Sequence, residues 1–228
     1  MHQQTGKKNK LILYIILLFL LSTINNKSIN VKNNSFLKIT DVKVSGLSDS
    51  ENLKVKKELK SIIFQNLFFI DSKIILKSLN NNNSIESFII KKIYPNLILI
   101  DLKKTKFIGI TAKNNKNFFI GSNGKLIRYK KNNLKLPFIF GNFKNSEFLD
   151  FKKIIDESNI KFKNIESIYF FPSNRWDIKT NNGTLIKLPE KNIREKLNLA
   201  HQIINNEQFK YDKIIDLRIA NYIITKNE

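Results

Sequence analysis

Residues 11–24 read LILYIILLFLLSTI, fourteen residues without a charge, preceded by Lys7, Lys8 and Lys10 and followed by Asn25, Asn26 and Lys27. A helix rises ~1.5 Å per residue, so about twenty apolar residues are needed to cross a ~30 Å hydrocarbon core. The run is short for that, but a snorkelling Lys10 and local thinning of the bilayer extend its reach. Lysines on the N-terminal flank keep that end in the cytoplasm by the positive-inside tendency. The expectation is therefore a cytoplasmic tail over 1–10, a single-pass transmembrane signal anchor over 11–27, and everything later outside the cytoplasmic membrane. A cleaved signal peptide would have similar flanks and length, but its cleavage site needs small residues in an A-x-A-like arrangement. No Ala precedes Ala112, and Ser22-Thr23-Ile24 is a poor substitute. A buried core helix would need a polar face for solvent, which this run lacks.

The rest of the chain carries enough apolar material, 42% of 228 residues, to build real cores. Its formal charge of +21 would raise nucleic acid as a partner, since clustered cations release counterions from a phosphate backbone. The cations are 36 Lys against four Arg (Arg128, Arg175, Arg194 and Arg218), and the Lys are scattered. Phosphate and base readout favours the forked guanidinium, so nucleic acid is not expected. Attraction to anionic headgroups is a cheaper use of the charge, at about 1 kcal/mol per well-placed Lys. Cysteine is absent, so no disulfide or thiolate metal site supports the fold.

Beyond an Asn- and Lys-rich spacer over 28–35, residues 36–44 alternate apolar and polar as a half-buried strand does, with Gly46 at its end. Leu53, Val55, Leu59, Ile62 and Ile63, after Ser50 and Glu51, predict a helix. Asp71 opens a second one bearing Ile74, Ile75, Leu76 and Leu79. Strands over 85–93 and 97–108 flank Tyr94-Pro95-Asn96 and read as a hairpin. A second block over 109–228 is strand-rich: 118–120, a Ser122-Asn123-Gly124 turn, 125–129, then a helix N-capped by Ser146 with Phe148, Phe151 and Ile155 on one face. Strands over 165–171, 176–180 and 184–188 follow, growing the sheet by meander. Asn192 and Glu195 predict a reciprocal cap for a helix bearing Leu197, Ala200 and Ile203, and 213–225 closes the chain as one strand.

No catalytic constellation emerges from these residues. His2 and His201 lie far apart, neither G-x-S-x-G nor G-x-x-x-x-G-K-[ST] occurs, and Asp150 with Asp156, or Asp212 with Asp216, read as solvent faces. No catalytic residue, cofactor site or metal site is expected, and the chain reads as a binding protein. Its most promising surface is an exposed strand edge, which offers unpaired N–H and C=O groups to a partner strand. The last strand is the candidate, with Ile219, Tyr222 and Ile223 as apolar anchors. The competing reading makes it an internal strand whose Ile and Tyr are core.

The order of these elements resembles the FtsQ/DivIB family of bacterial cell division proteins. The marks are an F-x-I-x-x-V-x-V-x-G-like pattern over 36–46 with one spacing residue shifted, Tyr94-Pro95-Asn96, Leu136-Pro137 with Gly141, Arg175-Trp176, Asn182-Gly183, Leu188-Pro189 and Ile215-Asp216-Leu217-Arg218. Lys104, Phe107 and Gly121 depart from it, where an acidic residue, Pro and Asp are usual. The resemblance implies an α+β fold with a single N-terminal transmembrane helix, a POTRA domain (βααββ) over 36–108, and a mixed α+β domain built on an antiparallel β-sheet over 109–228. It implies a non-catalytic divisome scaffold at the septum, linking early and late division proteins and binding FtsB- and FtsL-type partners by strand augmentation. The partner-binding strand would be Ile219, Ala220, Asn221, Tyr222 and Ile223, with Arg175 pairing an acidic partner residue. The POTRA portion would recruit other septal proteins, without small-molecule substrate. The alternative is a POTRA-bearing component of protein export or outer-membrane assembly.

Overall fold

The computed structural model describes residues 7–23, 37–130, 133–209, 211–220 and 222–227. The apolar run forms helix α1, Lys7–Thr23, of 17 residues. Its large side chains from Leu11 to Leu21 are 53–71% exposed on every side. Seventeen residues give a helix of about 26 Å, and the first turn is taken up by lysines. Accordingly, among the described residues no helix is long and apolar enough to cross a membrane. The spanning helix expected over 11–27 is thus shorter than required, and its last four positions lie outside the described residues.

The first folded block has three strands and two helices. Strand β1, Asp41–Ser45, is followed by α2, Asp49–Glu58, a 3-10 turn at Leu59–Ile62, α3, Ser72–Asn81, then β2, Ile85–Ile93, and β3, Leu97–Lys104. The sheet order is β1-β3-β2, with β1 parallel and β2 antiparallel to β3. Alternation places Val42, Ile98 and Ile100 on the face that α2, the 3-10 turn and α3 cover with Val55, Leu59, Ile75 and Leu79. Helix α2 starts because the Glu51 carboxylate reaches back to the Ser48 hydroxyl at 2.7 Å and backbone N–H at 3.2 Å, satisfying a donor the helix cannot. The Asp71 carboxylate accepts from the Lys73 N–H at 2.9 Å and starts α3. Gly46 turns the chain out of β1 with φ of +98°.

Two strand expectations in this block change. Residues 37–40 are not part of β1. Residues 37–39 pair instead with the 64–67 loop, where Leu67 N donates to Leu37 O and Ile39 N to Gln65 O, and Thr40 N donates to Asn96 O. The strand expected over 97–108 breaks at Thr105 and Lys106, so Phe107 begins β4 in a second sheet.

That second sheet holds nine strands in the order β12-β11-β10-β9-β8-β7-β4-β5-β6. In chain order these are β4, Phe107–Lys113; β5, Lys116–Gly121; β6, Leu126–Arg128; β7, Phe138–Phe140; β8, Ile165–Phe171; β9, Arg175–Thr180; β10, Leu185–Lys187; β11, Ile214–Asp216; and β12, Ile224–Lys226. The pairs β4–β7, β7–β8 and β10–β11 are parallel. The sheet is therefore mixed, not antiparallel as expected, because α4, Asn145–Asp156, and α5, Ile193–Ile204, act as crossovers between parallel neighbours. Both helices close over one face. Trp176 stacks on Phe151 at 4.7 Å between ring centroids, and Leu197 and Ala200 of α5 share the same core with Ile178, Ile186 and Ile215.

Helix starts also differ from the expectations. Lys144, not Ser146, takes the cap position of α4, and its N–H donates to Glu147 at 2.9 Å. Asn192 precedes α5 in a left-handed conformation, φ 58°, which turns its side chain away from the reciprocal cap expected with Glu195.

Candidate partner-binding site

The residues singled out in the sequence sit at one end of the large sheet. Registration sets a row across it, with Tyr169 opposite Asp177, Asp177 opposite Lys187, Lys187 opposite Asp216, and Asp216 opposite Ile224. Neighbours in register share a face. The adjacent row of Ile168, Ile178, Ile186 and Ile215 faces the helices and is buried. The polar row therefore lies on the face away from α4 and α5.

Two carboxylates on this face are buried and paired. The Arg218 Nε donates to both Asp216 oxygens, at 2.8 and 3.0 Å, and the Arg218 N–H adds 3.1 Å to Oδ1. These bonds hold the Asp216 carboxyl below its ordinary value and raise the Arg218 guanidinium. Asp177 accepts from Arg175 Nε and from the Leu188 N–H, each at 3.3 Å. Burial nevertheless dominates there and pushes its carboxyl up, against the pull of Arg175. The guanidinium of Arg175 also lies over the Phe171 ring, 4.4 Å from its centroid. Arg175 is thus held within the chain, three strands from the edge, rather than standing free for an acidic partner.

The strand expected over 213–225 is a short hairpin. Strand β11 pairs antiparallel with β12, and residues 217–223 form the connection between them. Ile219, Ala220, Tyr222 and Ile223 are exposed in that connection, and Asn221 lies outside the described residues. The reason is local: the Asp216–Arg218 clamp joins positions two apart on the chain, and Leu217 is drawn into the core with its N–H on Lys187 O at 2.9 Å. The chain then turns with Tyr222 N on Ile219 O at 3.4 Å. The terminal strand of the sheet is β12, which has a neighbour on one side only among the described residues. Its Ile224 is exposed beside Tyr222 and Ile223 in the chain. Ile224 escaped the sequence reading because three-residue strands carry too little alternation to be seen. The Asp216–Arg218 pair was not expected, because Asp216 read as a solvent face, whereas the structure buries it; the available signal was that positions i and i+2 share a face of extended chain.

Residues 110–218 match the family described as Cell division protein FtsQ/DivIB, C-terminal, which takes in most of β4, all of β5 to β11 and both covering helices. Over those residues the chain is similar to the FtsQ/DivIB family. It is 23% identical over 187 residues to the cell division protein FtsQ of Rhizobium meliloti, covering 80% of this chain and 60% of that protein. It is 24% identical to FtsQ of Agrobacterium fabrum, at 80% and 59% coverage. It is 25% identical to the cell division protein DivIB of Clostridium tetani, at 72% and 69%. The chain thus spans about 60% of the length of the two FtsQ relatives. The solved major extracytoplasmic domain of DivIB from Geobacillus stearothermophilus aligns with 45% of this chain and 92% of that domain, at 15% identity and a TM-score of 0.35. The matching family and these relatives are all named as cell division proteins. Among the described residues no group of His, Cys, Asp or Glu is placed to hold a metal ion. His201 Nε2 lies 3.0 Å from the amide of its helix neighbour Asn205.

Proposed function

We propose that this protein is a non-catalytic divisome scaffold of the FtsQ/DivIB kind that captures a strand of an FtsB- or FtsL-type partner along β12 during septum formation, linking early and late division proteins. The observation that carries this reading is the open edge of β12 beside four exposed apolar residues, Ile219, Tyr222, Ile223 and Ile224. An added strand gains main-chain hydrogen bonds from such an edge, and apolar anchors beside it supply specificity. Lys187, beside Asp216 on the face away from the helices, favours an acidic flank on the partner. The first block, read as a POTRA domain, presents a separate surface for other septal proteins.

The protein acts from the membrane, held by α1, with the folded blocks on the extracytoplasmic side. An all-apolar helix exposed on every side has no protein cover, and lipid is the surrounding that suits it. The test is capture of the FtsB- and FtsL-type proteins of the same organism by the full chain and by a chain ending at Arg218. Capture by the full chain alone is expected. Equal capture by both, with the shortened chain folded, removes the terminal hairpin as the site.

A further inference from the structure

Three segments of the first block converge at the end where β1 begins. The segment 37–40 enters there, the loop 63–70 pairs with it through Phe64 N on Ile39 O and Leu67 N on Leu37 O, and the β2–β3 hairpin tip joins through Thr40 N on Asn96 O. Lys92, near the end of β2, reaches back to Phe68 O at 3.4 Å. The end so formed is apolar at its surface. Phe64 is 74% exposed, Phe68 60% and Phe69 58%, with Ile93 and Tyr94 exposed beside them on the hairpin. Phe68 and Phe69 pack edge to face at 5.1 Å, so they present a joined surface. Phe64 holds a left-handed backbone, φ 67°, that a bulky residue seldom adopts. Its ring is turned to the outside at a cost in free energy, which is the opposite of what burial would select.

The position of this end singles out what covers it. Strand β3 runs from it, at Leu97, to Lys104 and into the second sheet, so its eight residues put about 26 Å between the aromatic end and the larger block. On the other side, only residues 24–36 separate the same end from the apolar helix α1. A chain of thirteen residues reaches at most about 45 Å, so the end is tethered close to whatever holds α1. The charge around it is mainly positive. Lys38, Lys60 and Lys92 adjoin the loop, whereas Asp71 is spent as the cap of α3 and Asp41 is paired with Lys56 at 2.7 Å.

We propose that this end seats on the lipid surface, with Phe64, Phe68 and Phe69 entering the boundary between headgroups and acyl chains and Tyr94 at headgroup level. Aromatic rings favour that boundary, and nearby lysines add attraction to anionic headgroups. Seating fixes the long axis of the first sheet against the membrane and holds the β12 edge on the far block, away from it. The inference rests on the reading that α1 is held in lipid.

The test uses the full chain reconstituted with vesicles of mixed zwitterionic and anionic phospholipid. Its single Trp, Trp176, is buried in the far core and serves as the internal control. Phe68→Trp adds an indole at an exposed position, and Phe69→Trp is a second probe should the first fail to fold. Expected is a blue-shifted added emission that lipids brominated just below the headgroup quench, with the parent chain unquenched. A vesicle-bound protein whose added indole stays water-exposed and unquenched overturns the seating and leaves the anchoring intact. An added indole that shifts only as the density of chains in the bilayer rises gives the patch to a second copy and also overturns it. A chain that fails to float with vesicles overturns both readings.

Discussion

At the scale of single residues, the terminal site depends on side chains with opposite tasks. Tyr222 is 66% exposed and makes no core contact that its loss would open. Tyr222→Lys is expected to abolish partner capture while leaving the thermal midpoint within the range of an ordinary surface change, about ±0.5 kcal/mol. A pull-down paired with a melting curve checks both halves, and a collapse of the fold would make the residue structural. Asp216 works from beneath. Its carboxyl is held below the ordinary aspartate value of 3.8 by Arg218, so the folded state favours the ionised form. The stability this adds is present above the ordinary value and is lost as pH falls through the lower folded one. Asp177 has the reverse sign, since burial raises it and its contribution is present below 3.8 and lost as pH rises through the raised value. Urea midpoints followed from neutral into acid are expected to fall less steeply for Asp216→Asn than for the parent. Identical acid limbs would mean the pair does not affect stability.

At the scale of elements, the small sheet shows how tightly backbone geometry is set. A Cβ on Gly46 would lie 1.7 Å from Leu102 O, at a φ of +98° that a side chain rarely adopts. Neither atom can yield, because Leu102 belongs to β3, held between β1 and β2. Gly46→Ala is therefore expected to destabilise the first block by more than about 1 kcal/mol, read as a lower urea midpoint with the second block unchanged. The terminal hairpin shows the opposite regime. Strands of three residues with one neighbour contribute few ladder bonds, so β12 is among the cheapest elements of the sheet to rearrange. The proposed capture of a partner strand suits this edge, because its adjustment disturbs no packed core.

At the scale of the molecule, the two blocks are joined by polar bonds and not by a shared core. Glu86 accepts from the Thr105 hydroxyl at 2.8 Å and the Ser122 hydroxyl at 2.7 Å. Asn123 Nδ2 donates to Ile85 O at 2.8 Å and Asn83 O at 3.0 Å, and Lys125 Nζ to Asn80 O at 2.6 Å. The turn 122–124 was expected only to close a hairpin. It is also the clasp between the blocks. Asn123→Ala removes two of these bonds, at about 1 kcal/mol each. Calorimetry is expected to show unfolding of the blocks separating into two transitions, whereas a single unshifted transition would mean that the clasp does not couple them.

The amino-acid sequence determined by itself what depends on neighbours along the chain. The apolar run became α1, periodicity found the cores of α4 and α5, and Asp71 marked the start of α3, because capping and amphipathic spacing are local. The expected helix, helix, hairpin order of the first block followed from the same signals. What only the tertiary structure decided was non-local. The mixed sheet, the break after Lys104 and the pairing of 37–39 with the 64–67 loop depend on which distant strand offers hydrogen bonds. Alternation along one segment carries no record of that choice. The candidate site divides in the same way: Ile219, Tyr222 and Ile223 were legible as apolar and terminal. That they form a connection, that β12 is the edge, and that Arg175 is tied to Asp177 were settled by strand order and burial, which no local pattern encodes.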